Sequence, residues 1–301
     1  MLLTPLSRFK IYRELSKSGI VALVVISVLG GYFCGHNFER AFDWARLGLT
    51  LLGVFCLASG SSALNQLQER HIDAQMPRTA KRPIPSGRLS VSEAWAFITV
   101  TVFLGLGLLW RLDPAIAGLG LLAILSYNGL YTLWWKKHWA FAAVPGAIPG
   151  ALPILMGYAA AAGKIWTLPG LYLFFILFYW QMPHFWSLAI RYREDYRLGG
   201  IPTLPVAKGS DVTVFQITFW CLAYVGLALI GGLFLKTGWI YFSIAAVTSA
   251  KVLIELKRYA RDPESKSWLR FFLWVNFSLI FYIFAAALDL WSVYLVPALT
   301  R

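Results

Sequence analysis

Residues 44–67, WARLGLTLLGVFCLASGSSALNQL, run directly into residues 68–83, QERHIDAQMPRTAKRP. The first stretch carries one charge, Arg46, and its length matches the roughly 20 apolar residues that a helix needs to cross a bilayer core. The second packs seven ionisable side chains into sixteen residues. Working outward, the same alternation recurs. Apolar runs fall at Gly19 to His36, Trp44 to Leu67, Ala94 to Trp110, Pro114 to Trp135, Trp139 to Ala162, Leu168 to Ile190, Val212 to Leu235, Trp239 to Leu256 and Trp268 to Val296. The pattern predicts an all-α integral membrane protein with nine transmembrane helices. Residues 1–18 form a basic N-terminal segment and residues 19–301 a single polytopic domain. Composition agrees: of 301 residues 58% are hydrophobic and 14% charged, against about 25% charged in soluble domains, and mean hydropathy is +0.63. An ordinary water-soluble enzyme is excluded.

The net charge of +13 would suggest nucleic acid in a soluble chain. Here the Lys and Arg residues divide 21 to 6 between alternate loops, which the positive-inside rule reads as cytoplasmic against external. The N-terminus, with Arg8, Lys10, Arg13 and Lys17, is then cytoplasmic and the C-terminus outside. The expected partner of the charge is the lipid bilayer, not nucleic acid. No A-x-A-like cleavage site follows the first run, so it reads as a retained helix, and no Arg- and Ser-rich transit peptide precedes it, which favours a prokaryotic cytoplasmic membrane. Lys251 and Glu255 lie within the eighth run and must snorkel or face protein. Cys34, Cys56 and Cys221 sit in apolar surroundings without CxxC spacing and read as packing residues.

Two polar loops on the basic face carry the chemistry. In the first, Asn65, Glu69 and Asp73 recur every four residues, so on a helix they share one face, drift by about 40° per step and span about 12 Å. Oxygen donors in such a row suit Mg²⁺, which takes few protein carboxylates and completes its shell with water and phosphate. Arg78 and Arg82 follow and suit the phosphate itself. The alternative is a solvated helix end with i,i+4 charge pairing. The second loop, after the sixth run, supplies Glu194 and Asp195. Two carboxylate groups on one side of a bundle can hold metal ions that bridge a departing diphosphate.

The run N-Q-x2-E-x3-D-x2-M-x-R-T-x2-R-P from Asn65 to Pro83 resembles the first aspartate-rich motif of the UbiA superfamily of intramembrane prenyltransferases. P-H-F-W-x-L-A-I-x4-D-Y-x2-G-G-I-P-x-L-P-V, Pro183 to Val206, is similar to the second motif of that superfamily's heme-farnesylating branch. Tyr131-Thr132 ahead of Lys136-Lys137, and Gly150-Ala151-x-Pro153-x3-Gly157, agree further. The chain departs from the pattern at His71, where Asp is common, at Glu69 for Asp, at Lys137-His138 for Arg-Thr, and at Ser18-Gly19 for Pro-Arg.

The resemblance implies a UbiA-like bundle that transfers a farnesyl group from farnesyl diphosphate to a vinyl group of heme b with Mg²⁺, releasing diphosphate and adding water. It implies Asn65, Glu69, Asp73 and Asp195 at the catalytic centre, with Glu194 joining them around the metal. Arg78, Arg82, Lys136, Lys137, Tyr127 and Asn128 would meet the diphosphate, and His184 the heme. Its expected protein partners are heme A synthase or terminal-oxidase assembly proteins. For Lys136 and Lys137 a topology-setting role stands beside phosphate binding, and for Tyr127 and Asn128 helix packing stands beside a substrate contact. In the fifth run, Gly146-x3-Gly150 reads first as close helix packing. A prenyltransferase with another acceptor, or a transporter, is the competing class. Transport predicts ionisable groups at mid-bilayer, and here nearly every charge lies at the basic rim.

Overall fold

The computed structural model describes residues 5–263 and 265–299, with side chains for residues 8–263 and 265–294. Arg301, counted on the outer face, lies outside the described residues. The chain begins with α1 (Pro5–Leu15), then α2 (Ser18–Gly35), α3 (Trp44–Gln68), the single turn α4 (Arg70–Asp73) and α5 (Val91–Leu112). Next, α6 (Pro114–Ile124) continues as a π-helix through Leu125–Trp135 into α7 (Lys136–His138), followed by α8 (Ala143–Ala162) and α9 (Leu168–Arg191). The last third holds α10 (Arg193–Leu198), α11 (Leu204–Leu229), α12 (Gly231–Leu235), α13 (Trp239–Arg261) and α14 (Ser267–Leu299). Among the described residues nine helical segments are long and apolar enough to cross a membrane, and there is no strand. The chain is a multi-pass membrane protein.

Local chemistry sets the boundaries. Asp43 accepts from the Arg46 amide to open α3, Ser90 and Glu93 close a capping box on α5, and Asp113 with Pro114 starts α6, each satisfying amides that a helix start leaves open. Asp289 of α14, an intramembrane charge, accepts from the Gly238 and Tyr241 amides at 2.7 and 2.8 Å and so caps α13. Lys251 and Glu255 do both things expected of them. Glu255 is buried and bonded to Lys251 and Arg258 at 2.6 and 2.9 Å, while Lys251 reaches out over the Trp274 ring.

Two apolar cores share α8. One joins it to α9, α11, α13 and α14; the other joins it to α2, α3, α5 and α6. Against α2 the approach is backbone to backbone: a Cβ on Gly157 would strike the Val28 carbonyl, and one on Gly31 the Ile154 carbonyl. The close packing expected of α8 is thus made by Gly157. Gly146 and Gly150 face the side chains of Tyr131 and Gln181 instead. α1 is packed rather than free, since Ile11 and Leu15 are buried with Ala63, Leu67, Ile84 and Ala94. The seventh run divides differently from expectation. A short helical stretch from Leu204 precedes it, separated from the main helix by the non-helical Gly209 (φ 83°), and the main helix stops at Leu229 before the short α12.

Exposed tryptophans form two belts, Trp44, Trp110, Trp166 and Trp239 at one end of the spans and Trp95, Trp134 and Trp139 at the other, as at the two membrane interfaces. All three cysteines are buried and free. With them replaced, a cysteine at Ser86 is expected to react with an impermeant thiol reagent only from the cytoplasmic side, and one at Lys164 only from outside. The opposite labelling overturns the orientation read from the charges.

Candidate active site

The elbow at Lys17, the break after α3 and the π-helix on the basic face all border one cavity of about 350 Å³. α3 ends at Gln68, yet the Glu69 amide still donates to the Asn65 carbonyl and the Asp73 amide to the Glu69 carbonyl, at 3.0 and 2.8 Å. The row Asn65, Glu69, Asp73 therefore stays on one strip across the break and lines the cavity, all three at most 3% exposed.

Carboxylates buried so deeply need partners, and each has one cation. Lys136 holds Glu69 at 2.6 Å and Arg82 holds Asp73 at 2.6 Å. Arg78 faces Asp195 at 3.5 Å and lies 4.8 Å over the Tyr192 ring. Lys17, in the α1–α2 elbow with φ 51°, donates to Asn65 Oδ1 at 2.6 Å. Burial would raise the Glu69 carboxyl, but Lys136, with Lys17 and Arg82 behind it, holds it below the ordinary carboxylate range. Burial and the Arg82 charge bring the Lys17 ammonium down to about 7, with Lys136 adding to the effect and Glu69 and Asp73 opposing it. Four cations crowd two buried carboxylates on this wall, which suits an incoming polyanion.

The π-helix supplies the facing wall. Its wider turn stacks Tyr127 on Tyr131 (5.8 Å between centroids, 15° between planes) toward the cavity. Asn128 and Thr132 turn to α3, where Thr132 accepts from Asn65 at 3.1 Å and Asn128 bonds Ser61 and Gln68. From α9, Gln181, His184, Phe185 and Leu188 present one helical stripe. The His184 ring lies between Trp180 and Phe272, and its Nδ1 is buried without a partner.

Of the residues singled out in the sequence, the fold gathers Asn65, Glu69, Asp73, Arg78, Arg82, Lys136, Tyr127 and His184 around this cavity. Asp195 stands at its rim through Arg78. Glu194 is exposed and bonded to Arg197 through both oxygens. Asn128 is spent on interhelical bonds, Lys137 does not line the cavity, and His71 is exposed. α9 also breaks at Tyr192 before α10, so the second motif is a helix plus a folded-back turn, whose Gly199 packs against Met76 and Ile72 of the first loop. Lys17, Gln181 and Tyr196 line the cavity unforeseen. By sequence Lys17 reads as a topology charge, and Gln181 lies two residues ahead of the second motif, one helical turn before His184.

Among the described residues, no three His, Cys, Asp or Glu groups stand close enough to cage a metal ion. The donors nonetheless suit Mg²⁺: they are hard oxygens, and Asp73 Oδ1 is buried without a hydrogen-bond partner. A site with few protein ligands is what an ion retaining water and phosphate oxygens requires.

A second chamber of about 250 Å³, lined by Val54, Leu57, Ile124, Pro153 and Met156, continues the first into the bundle.

Removing one partner of a buried ion pair costs about 3–5 kcal/mol, so Lys136→Met is expected to lower the melting temperature at neutral pH clearly, and Glu69→Gln/Lys136→Met to recover most of the loss. Because Glu69 is held low, the stabilisation it gives is present above the ordinary carboxylate range and fades as pH falls through that range and below. An additive double variant would show the pair to be uncoupled.

Residues 24–298 match the UbiA prenyltransferase family. The chain is 47% identical over 283 residues to the protoheme IX farnesyltransferase of Bdellovibrio bacteriovorus, covering 94% of this chain and 97% of that one. It is 37% identical to the protein of the same name from Aquifex aeolicus, over 90% and 93%. In fold it is similar to a digeranylgeranylglyceryl phosphate synthase (TM-score 0.76, 19% identity, 93% of this chain and 98% of that one). It is also similar to a UbiA homologue from Archaeoglobus fulgidus bound to DMAPP and Mg²⁺ (TM-score 0.65, 19% identity, 92% and 98%). Sequence and fold thus agree with the two motifs, and the chain belongs to the UbiA prenyltransferase family.

Proposed function

We propose that this chain transfers a farnesyl group from farnesyl diphosphate to a vinyl group of protoheme IX (heme b), giving heme o and diphosphate, at the cytoplasmic face of a bacterial inner membrane. The observation that carries the reading is the continuity of a cation-rich polar cavity with an apolar chamber. The two compartments match the two halves of a prenyl diphosphate. The acceptor follows from relatives that carry the protoheme IX farnesyltransferase name over nearly their whole lengths.

The difficult step is ionising the allylic C–O bond while water is kept from the cation. Mg²⁺ bound to the phosphate oxygens neutralises the charge that grows on the leaving group. Asn65, Glu69 and Asp73 are the residues to hold it, with Asp195 across the rim. Lys17, Arg78, Arg82 and Lys136 pair with phosphate oxygens, which are the anions their crowding calls for. These groups are fixed before the substrate arrives, so little reorganisation is needed as charge develops. The Tyr127 and Tyr131 rings line the reacting end, where aromatic groups stabilise a cation and exclude water. The α9 stripe with His184 offers a surface for the porphyrin, and heme A synthase or oxidase-assembly proteins are the partners such a product implies.

Purified protein with heme b, farnesyl diphosphate and Mg²⁺ is expected to convert the porphyrin to the hydroxyethylfarnesyl product, read by mass, and EDTA to stop it. Asp73→Ala and Asp195→Ala should each lower turnover by about a hundredfold or more in protein that still inserts and folds; normal turnover of both with EDTA present sinks the metal assignment. His184→Ala is expected to weaken heme binding and spare the affinity for farnesyl diphosphate. The reverse pattern would exchange the two halves of the site.

A further inference from the structure

Lys17, Ile20, Tyr127, Gly146 and Gln181 line both chambers and form the neck between them. With phosphates among the cations and the tail in the apolar chamber, C1 of the prenyl diphosphate, the carbon bonded to the leaving oxygen, lies at this neck. The vinyl group that C1 alkylates must come to the same place. So must the water that completes the product, since the carbon it joins is next to the new bond.

Gln181 is built for that water. Its Nε2 donates to the Ala147 carbonyl at 2.9 Å and to the Leu177 carbonyl at 3.3 Å. Both amide hydrogens are thereby spent on backbone, which fixes which end of the amide is the oxygen. Oε1 is left over the bare Cα of Gly150, where a Cβ would collide with it. Among the described residues no donor reaches Oε1. The neighbouring cation of the neck, Lys17, is engaged by Asn65. A neutral, oriented acceptor suits this position: a carboxylate there would attract the cation it faces, and a cation would repel it.

We propose that Gln181 Oε1 holds the water that adds to the alkylated vinyl group, and that Gly150 exists to leave room for it. The proposal rests on the farnesyl-transfer reading. The C1–O bond breaks with its electron pair leaving on diphosphate, and the vinyl π pair forms the bond from its terminal carbon to C1. This places the positive charge on the carbon attached to the porphyrin ring. The water on Gln181 gives its lone pair to that carbon, and its proton passes to the departing diphosphate. Where no water is held, the same cation loses a proton from the neighbouring carbon and becomes an alkene, lighter than the normal product by one water.

The experiment is product analysis of Gln181→Met, which keeps the shape and removes the acceptor, and of Gly150→Ala, which keeps Gln181 and pushes it from its seat. Diphosphate release is expected to continue while the dehydrated porphyrin rises about tenfold relative to the hydrated one, the worth of one orienting hydrogen bond. The remaining hydrated product should lose its single configuration at the carbinol carbon. Gln181→Asn, which draws the oxygen back by one methylene, gives the same readout where either variant fails to bind farnesyl diphosphate. Hydrated product of one configuration at the wild-type ratio overturns the proposal, as does loss of all turnover with farnesyl diphosphate binding retained. Wild-type protein that forms no farnesylated porphyrin overturns the underlying reaction instead.

Discussion

Two carboxylates, Glu69 and Asp73, are buried where a membrane protein has little water to spare, and the half of the bundle that carries the basic loops is arranged around neutralising them. A buried charge is tolerated only when it is paired and hydrogen-bonded. The cations that meet this demand come from different parts of the chain: Arg82 from the loop after α4, Lys136 from the end of the π-helix, and Lys17, beside Asn65, from the α1–α2 elbow. Each pair ties its segment to the end of α3. The packing of Ile11 and Leu15 under α1 then fixes the elbow from which Lys17 points.

On the proposed reading, the same pairing prepares the site for a diphosphate. Each cation already sits in place, at a distance from its carboxylate that a metal-bound polyanion can take over. On the same reading, a phosphate oxygen would replace a carboxylate at the Lys or Arg and leave the carboxylate oxygen free to hold Mg²⁺. Asp73 begins the exchange half done, because Oδ1 has no partner while Oδ2 is held by Arg82. The resting ion pairs and the loaded site are two uses of one set of charges.

The sequence made the membrane class, the nine spans and the first motif legible, because hydropathy and i,i+4 spacing are local properties. Glu69 and Asp73 fell where the four-residue spacing placed them, despite the break after α3. What stayed hidden depends on backbone that departs from regular helix. Nothing in LSYNGLYTLWW announces a π-helix, so the opposite fates of Tyr127 and Asn128, one on the cavity and one against Ser61 and Gln68, could not be separated. Glu194 and Asp195 are adjacent in sequence, but the short α10 turns one toward Arg197 in solvent and the other toward Arg78. Gly146 and Gly150 have the spacing of a helix-packing motif, yet each meets a side chain, Tyr131 of the π-helix and Gln181 of α9, while Gly157 meets backbone.

Irregular backbone occurs at the opposite end too, at Ile230 and the left-handed Lys236, but the site draws on its own set. The left-handed Lys17, the breaks at Glu69 and Tyr192, the π-turns at Tyr127 and Tyr131, and the kink at Gly209 all lie at the end of the bundle that carries the basic loops. Non-helical backbone at membrane depth persists only where protein or a cavity satisfies its polar groups, and departures from local preference concentrate where function requires them. A regular helix offers one narrow stripe of side chains, too little to bring a carboxylate strip, four cations and an aromatic wall to one point. The breaks at Lys17, Glu69 and Tyr192 and the π-turns each bring lining residues inward. In α9 no break is needed above Tyr192, because Gln181, His184, Phe185 and Leu188 already share a face, so this helix, like α3 and α8, runs unbroken from the polar cavity to the neck and helps set the distance between leaving group and tail.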